Sequence, residues 1–215
     1  MTGFFYTFKQ FMEIIDDELK QNRNSSIVTI ADNGRLASQA TIARWVNASL
    51  GELSAMNPAM WYREYQYVVP TASNRIKIPF YWKELHSIFV NEYPKLIGLR
   101  TDTNAEIYSE NGCEIIYKSG QFITSDTVIL TGIFRPRQLP TEGIATDLSE
   151  AVDIDPDYIN TLKLEVLIKY SAQNNIPNPL WYGQLRDSRA IFKEAVPVIK
   201  RNSTFTNPVV WGVGF

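Results

Sequence analysis

The chain has 215 residues, of which 45% are hydrophobic and 20% are charged, and its formal net charge is −2. These values are typical of globular proteins and exclude a disordered or fibrous chain, while the charge gives no electrostatic footprint for tight nucleic-acid binding. A single cysteine, Cys113, excludes an intrachain disulfide and a cysteine-based metal site. No apolar run approaches the ~18 residues of a membrane span, and Met1 to Tyr6 lack the basic start of a signal peptide. We therefore expect a soluble chain made in the cytoplasm.

Three helical segments are predicted at the start of the chain. Residues 4–21 carry apolar side chains at helical spacing, and residues 35–50 do so again. Gly51 follows the second helix where a C-terminal cap would stand. Asn57 and Pro58 then have the residue types of a helix start, which predicts a third helix running towards Tyr67, although the last residues of this stretch also suit a strand.

The middle of the chain changes to period-two alternation between short breakers. Candidate strands are residues 75–78, 84–90, 96–100, 106–109, 114–118 and 127–134. Short strands at this spacing predict an antiparallel sheet or a small sandwich. We assign residues 71–149 to this inserted β domain, which ends in a loop rich in Pro, Thr, Gly and Asp.

Two helices are predicted after the β domain. Residues 156–173 follow Asp155 and Pro156, and residues 179–196 follow Asn178 and Pro179, so each has an N-cap residue type and a proline at the first helical position. In the last helix, Leu180, Leu185, Ile191 and Ala195 are among the apolar positions. We expect residues 1–70 and 150–200 to pack into one helical core, which gives an α+β fold.

The last segment, residues 201–215, predicts an extended C-terminal arm. It is too interrupted by Pro and Gly for a helix and too apolar for an ordinary solvated terminus. Such a segment needs a groove, either as a last strand on its own sheet or on another subunit. The residues expected to make this contact are Phe205, Val209, Val210, Trp211, Val213 and Phe215.

Catalytic and metal-binding patterns are scarce. The single histidine, His86, lies in a strand or helix of mixed polarity, where a structural role is much more common than catalysis. Asp153, Asp155 and Asp157 alternate as in a calcium loop, but the required glycine and distal glutamate are missing, so we interpret them as helix-start carboxylates. There is no phosphate-binding loop and no dinucleotide fingerprint. We expect no cofactor and no metal.

Two small basic clusters are candidates for facing a nucleic-acid strand or an acidic partner. They consist of Arg135 with Arg137, and Lys200 with Arg201. Clusters of this size do not support sequence-specific readout of bases.

The order of these segments resembles head-to-tail adaptor proteins of short-tailed phages. The stretch 75–91 is similar to a family pattern in which a strand ends in an Ile-Pro step and a Glu-Leu-x-Ser-Ile segment follows. Residues 128–134, leading into Pro136, resemble the family's last strand before an acidic loop. The helix pair 156–173 and 179–196 resembles the closing helices, of which the second carries small and charged residues in alternation at 186–190. The resemblance covers most of residues 35–200 and is one of layout, without a single diagnostic motif; the N-terminal helix falls outside it.

The resemblance implies a structural virion protein of the tail tubular protein A type, or a ring protein of the crAss-like phage type. Such a protein is not an enzyme. It forms a ring of twelve copies below the portal, binds the portal and other tail or ring proteins, and extends the channel through which genomic DNA passes without sequence-specific binding. In this setting the C-terminal arm would dock on a neighbouring subunit or on the portal, and no membrane is involved.

Two other interpretations stay open. A non-catalytic carbohydrate- or peptide-binding β module with helical flanks would use loop aromatics, such as Tyr81 and Trp82, to stack on a ligand. An enzyme would have to use Glu84, His86 and a tyrosine as acid–base groups.

Overall fold

The computed structural model describes residues 5–22, 39–79, 81–141, 148–175 and 178–196. The fold is α+β, which confirms the predicted class. The chain divides into two compact units, a helical unit of Met1–Met60 and Pro136–Val196 and a β unit of Trp61–Arg135. The predicted arm, residues 201–215, and the basic residues Lys200 and Arg201 lie outside the described residues.

The helical unit is built around one central helix. Its elements are α1 (Phe8–Asn22), α2 (Gln39–Met56), a 3₁₀ turn (Pro156–Tyr158), α3 (Ile159–Gln173) and α4 (Pro179–Glu194). Helix α3 contacts the other three helices and buries residues on several sides, among them Leu162, Leu164, Val166 and Leu167. A helix that is apolar on more than one face is stable only when other helices cover it, so α3 is the core of this unit.

Polar contacts fix α3 against its neighbours. The Lys163 ammonium lies 2.8 Å from the Glu18 carboxylate of α1, and the hydroxyls of Thr161 and Ser188 are 2.6 Å apart between α3 and α4. Helix α1 itself starts with a capping box, because Thr7 and Gln10 exchange hydrogen bonds between side chain and backbone. This cap explains why the helix begins at Phe8, four residues later than predicted.

The predicted start of the last helix, α4, is confirmed, whereas the helix predicted from Pro156 begins as the 3₁₀ turn Pro156–Tyr158 and becomes α-helical at Ile159. The Asp155 side chain accepts a hydrogen bond from the Asp157 N–H, and the Asn178 side chain accepts one from the Leu180 N–H. In both cases the next residue is proline, which needs no hydrogen-bond acceptor at the first helical position.

The predicted cap at Gly51 is wrong, because α2 continues to Met56. A Cβ atom at Gly51 would meet nothing within 4 Å, so the glycine lies on an open face of the helix. An exposed glycine costs a helix about 1 kcal/mol relative to alanine. Beyond it α2 buries Leu53 and Ser54, and this packing outweighs the local cost.

The predicted third helix is also wrong. A single 3₁₀ turn, Pro58–Trp61, leads directly into strand β1 (Tyr62–Val68). The Asn57 side chain makes contacts far from this turn in sequence. Its amide donates hydrogen bonds to the carbonyl oxygens of Phe192 and Ala195, both at 2.9 Å, and so ties the end of α2 to the end of α4.

The β unit contains two four-stranded sheets that share one core. The other strands are β2 (Arg75–Lys77), β3 (Trp82–Val90), β4 (Tyr93–Lys95), β5 (Ile97–Gly98), β6 (Ile107–Glu110), β7 (Glu114–Tyr117) and β8 (Thr127–Phe134). The strand orders are β1-β8-β3-β4 and β2-β7-β6-β5. Buried side chains from both sheets form a single cluster that includes Trp82, Ile107, Phe122, Leu130 and Phe134.

Most predicted strands are present, with two differences. The pairing of β5 with β6 is parallel, whereas we expected only antiparallel pairs. The predicted strand 96–100 shrinks to two residues, because the Asp102 carboxylate accepts a hydrogen bond from the Leu99 N–H and turns the chain there. The turn between β3 and β4 consists of Asn91 and Glu92, which both have positive φ.

Candidate interaction surfaces

Of the four residues in the two predicted basic clusters, the structure describes Arg135 and Arg137, and their surroundings differ. Arg135 is exposed at the end of β8, and its guanidinium lies 6.0 Å from the centre of the Tyr81 ring. Arg137 is half-buried and forms an ion pair with Glu150 at 2.9 Å. Arg135 thus remains a candidate for contact with DNA or an acidic partner, whereas Arg137 is engaged within the helical unit.

The Asp153–Asp157 segment serves the helical unit and its helix start. Asp153 is buried and accepts a hydrogen bond from the Arg137 N–H at 2.6 Å, and Asp155 is the cap described above. Within the ranges described, no group of three His, Cys, Asp or Glu side chains is arranged to hold a metal ion. Likewise, none of the helices in those ranges is both long and apolar enough to cross a membrane.

The groups named for an enzyme lie on strand β3. The His86 Nε2 atom is 3.3 Å from the Glu84 carboxylate, and the His86 ring packs edge-on against Tyr62 with 5.3 Å between ring centres. The Glu84 side chain is 67% exposed. The pair is therefore an exposed contact on the surface of a sheet.

The two aromatic residues that could stack on a ligand, Tyr81 and Trp82, differ in their exposure to solvent. Tyr81 is half exposed, but Trp82 is only 4% exposed and belongs to the shared core of the β unit. The Trp82 indole N–H donates a hydrogen bond to the Ser109 hydroxyl at 3.0 Å. Stacking of a sugar on Trp82 is excluded, because its ring is covered by the core.

Helix α4 presents an apolar outer face that the sequence analysis did not recognise. It buries Trp181, Leu185 and Phe192, whereas Leu180 is 59% exposed and Ile191 is 68% exposed. Leu180 and Ile191 are eleven residues apart, which is close to three full turns, so they lie on one stripe of the helix. The spacing of Trp181, Leu185 and Phe192 was the signal for the buried face, because these larger side chains also follow the helical period.

A second exposed apolar patch lies in the β unit, on and after strand β4. Tyr93, Leu96 and Leu99 are 71%, 63% and 70% exposed. Beside them is a shallow depression of about 370 Å³, lined by Leu96, Ile97, Asp102, Thr103, Asn104 and Ala105. The segment is held in shape by the Glu106 carboxylate, which accepts a hydrogen bond from the Leu96 N–H at 3.0 Å. This hydrogen bond, with a smaller contribution from Lys95, lowers the pKa of Glu106.

The sheets of the β unit end in four edge strands of unequal length. Three are short: β2 and β4 have three residues each, and β5 has two. The fourth edge strand, β1, has seven residues and pairs only with β8 among the described strands. A long unpaired edge is uncommon in stable proteins, because it invites pairing with another chain.

No protein-family model matches the sequence, and no curated protein matches it either.

Proposed function

We propose that the protein is a structural virion protein, a head-to-tail adaptor that forms a ring between the portal and the tail of a short-tailed phage and extends the DNA channel. The observation that carries the proposal is the outer face of α4. The same helix buries three large side chains in its own unit and exposes Leu180 and Ile191 on one stripe. Such a stripe suits contact with a second protein surface, and a ring of identical copies provides one at every subunit.

The architecture of each unit suits this role. The helical unit is held by a central helix with polar ties to α1, α2 and α4, so it can act as a rigid block. Rigid blocks close into a ring by head-to-tail contacts when each copy presents two complementary surfaces. The patch of Tyr93, Leu96 and Leu99 in the β unit would then meet the portal or the next tail protein.

The proposal also covers the number of copies in the ring, which is twelve, the docking of the C-terminal arm and the passage of DNA through the channel. The number of copies and the partners come from the resemblance in layout described above. The arm, residues 201–215, would dock on a neighbouring copy or on the portal. A net charge of −2 is compatible with a channel along which DNA slides, since many Lys and Arg contacts would hold the DNA in place. The protein would be made in the host cytoplasm and act in the virion, without catalysis and without a cofactor.

The assembly state tests the proposal directly. We expect the full chain to form a closed ring, measured by size-exclusion chromatography with light scattering and seen by negative-stain microscopy. Ile191→Glu should weaken the ring, because a carboxylate buried at a contact without a partner is strongly unfavourable. Ala172→Glu, at an exposed position of α3, is the matched control and should leave the ring intact. A chain that stays monomeric at every accessible concentration would contradict the proposal.

The second candidate is a non-catalytic binding module that takes a peptide. The depression beside Leu96 favours it, because apolar side chains line it together with the polar side chains of Asp102, Thr103 and Asn104. A monomer whose binding to a peptide is lost in Leu96→Glu would support this function over the adaptor.

A further inference from the structure

Strand β1 is the one long edge strand of the β unit among the residues described, and it carries no proline. The short edge strand β4 contains Pro94, and β2 contains Arg75 and Lys77. Proline and basic residues at an edge prevent pairing with another strand. Strand β1 has one basic residue, Arg63, whose half-buried side chain donates a hydrogen bond to the Tyr65 hydroxyl of the same strand. Strand β1 has no proline over its seven residues, so each of its outward N–H groups can donate a hydrogen bond. Its edge is therefore open to an additional strand.

The hydrogen-bond pattern identifies which backbone groups of β1 face this edge. Val69 donates its N–H to the Asp126 oxygen and continues the register of β1 with β8. On the other side of β8, the Asn91 N–H donates to the Thr127 carbonyl oxygen. Successive residues at the start of β8 therefore bond in turn to the β1 side and to the β3 side. Because hydrogen-bonding direction alternates along an antiparallel strand, the outward groups of β1 belong to its even-numbered residues. These are Tyr62, Glu64, Gln66 and Val68.

The C-terminal segment has the pattern of a matching strand. Residues 209–215 are seven in number, like β1, and contain no charged residue. From Trp211 to Phe215, large apolar side chains alternate with glycine, which is the period of a strand with one buried face. The large side chains are Trp211, Val213 and Phe215, the glycines are Gly212 and Gly214, and two valines, Val209 and Val210, precede them. On β1, Tyr65 and Tyr67 pack against the shared core, so an added strand has an apolar face to continue.

We infer that residues 209–215 of one copy add as a fifth strand to the β1 edge of the neighbouring copy in the ring. This inference rests on the proposed function and identifies the receiving surface for the arm. The connecting residues, 197–208, span up to about 40 Å when extended, which allows them to reach an adjacent subunit. In a head-to-tail ring each copy then donates one strand and accepts one, so closure leaves no open β1 edge.

Two substitutions at Gln66 separate pairing at the edge from stability of the sheet. Gln66→Pro removes an outward N–H but no hydrogen bond to β8, and an edge strand tolerates proline at such a position. Gln66→Val keeps the N–H and is the matched control. We expect Gln66→Pro, and deletion of residues 207–215, to raise the concentration at which the ring dissociates by about tenfold or more, whereas Gln66→Val leaves it unchanged. The Gln66→Pro protein must also keep the melting temperature of the original protein, measured by circular dichroism, so that weaker ring assembly does not reflect a damaged sheet.

A synthetic peptide of residues 205–215, labelled with a fluorophore, tests the pairing without the ring. The chain lacking residues 207–215 should bind it saturably, and the same chain with Gln66→Pro should bind it at least tenfold more weakly. If rings form but neither Gln66→Pro nor the peptide has an effect, the inference is overturned and the adaptor function stands. If the full chain is monomeric and rejects a peptide that the truncated chain accepts, the arm occupies its own β1 edge, which overturns pairing between copies. A full chain that stays monomeric and a truncated chain that does not bind the peptide would contradict both.

Discussion

Glu165 and Arg189 form one ion pair, but replacing either residue alone should lower the free energy of unfolding by a different amount. The Glu165 side chain is 2% exposed, and its two oxygens lie 2.5 and 2.8 Å from two guanidinium nitrogens of Arg189. The hydrogen bond to Glu165 raises the pKa of Arg189. Arg189 is 38% exposed and also contacts Glu52, so its guanidinium is partly solvated without Glu165. The carboxylate depends on the pair much more than the guanidinium does.

We therefore predict different costs for the two single substitutions. Arg189→Met leaves a buried carboxylate whose remaining cation, Lys169, lies 3.9 Å away, and should lower the free energy of unfolding by about 3 kcal/mol. Glu165→Met leaves a partly exposed guanidinium next to Glu52 and should cost about 1 kcal/mol. The double variant should be close to the original protein, because apolar side chains of similar size often replace a buried ion pair without loss.

Urea unfolding followed by circular dichroism at the helical band measures these costs in the helical unit. The four proteins form a double-mutant cycle, and the coupling energy between the two positions should be about 4 kcal/mol, because the double variant should cost close to nothing. Lys193→Met, at an exposed position of α4, is the matched control and should change stability by less than about 0.5 kcal/mol. The reasoning is refuted if Glu165→Met costs more than Arg189→Met, or if the costs of the two substitutions simply add.

Three further predictions concern single positions. Asn57→Asp replaces an amide donor by a carboxylate facing two carbonyl oxygens at the end of α4, and should lower the free energy of unfolding by about 2–3 kcal/mol in urea titrations, with Asn57→Ala costing less. Glu92→Gly should raise the melting temperature, because φ is 69° at Glu92 and glycine gains about 1 kcal/mol there; a lower melting temperature would contradict this. Glu106 has a pKa below the ordinary 4.5, so its stabilisation is present above that pH and is lost as the pH falls through the lowered value. Glu106→Gln should thus lower the melting temperature at pH 7 and not at pH 2.

Local signals predicted the elements that local chemistry determines. Asn178 caps α4 as expected, and Asp155 caps the 3₁₀ turn that leads into α3, because an N-cap side chain bonds to backbone within its own turn. The predicted strand 127–134 coincides with β8, which is buried at every second residue. The α+β class followed from the change between helical and period-two patterns along the chain.

The errors arose where partners distant in the sequence determine the structure. Asn57 has the residue type of a cap, but its amide bonds to carbonyl groups more than 130 residues later, and the chain after it pairs with β8 as a strand. Tyr62 to Tyr67 suit a helix or a strand by local preference, and the register with β8 decides between them. Gly51 was interpreted as a cap because its open surroundings are not visible in sequence.

The candidate surfaces show the same division between local pattern and tertiary context. The apolar arm stays a prediction from composition alone, because its residues lie outside the described part of the chain. The outer face of α4 was not predicted, because Leu180 and Ile191 are ordinary core residues by type, and only the competing burial of Trp181 and Phe192 leaves them exposed. The β1 edge required the sheet order as well. Burial is favourable for an apolar segment, and pairing is favourable for a long edge strand, so pairing the two would satisfy both. That complementarity is the physical reason to test the arm and the β1 edge together.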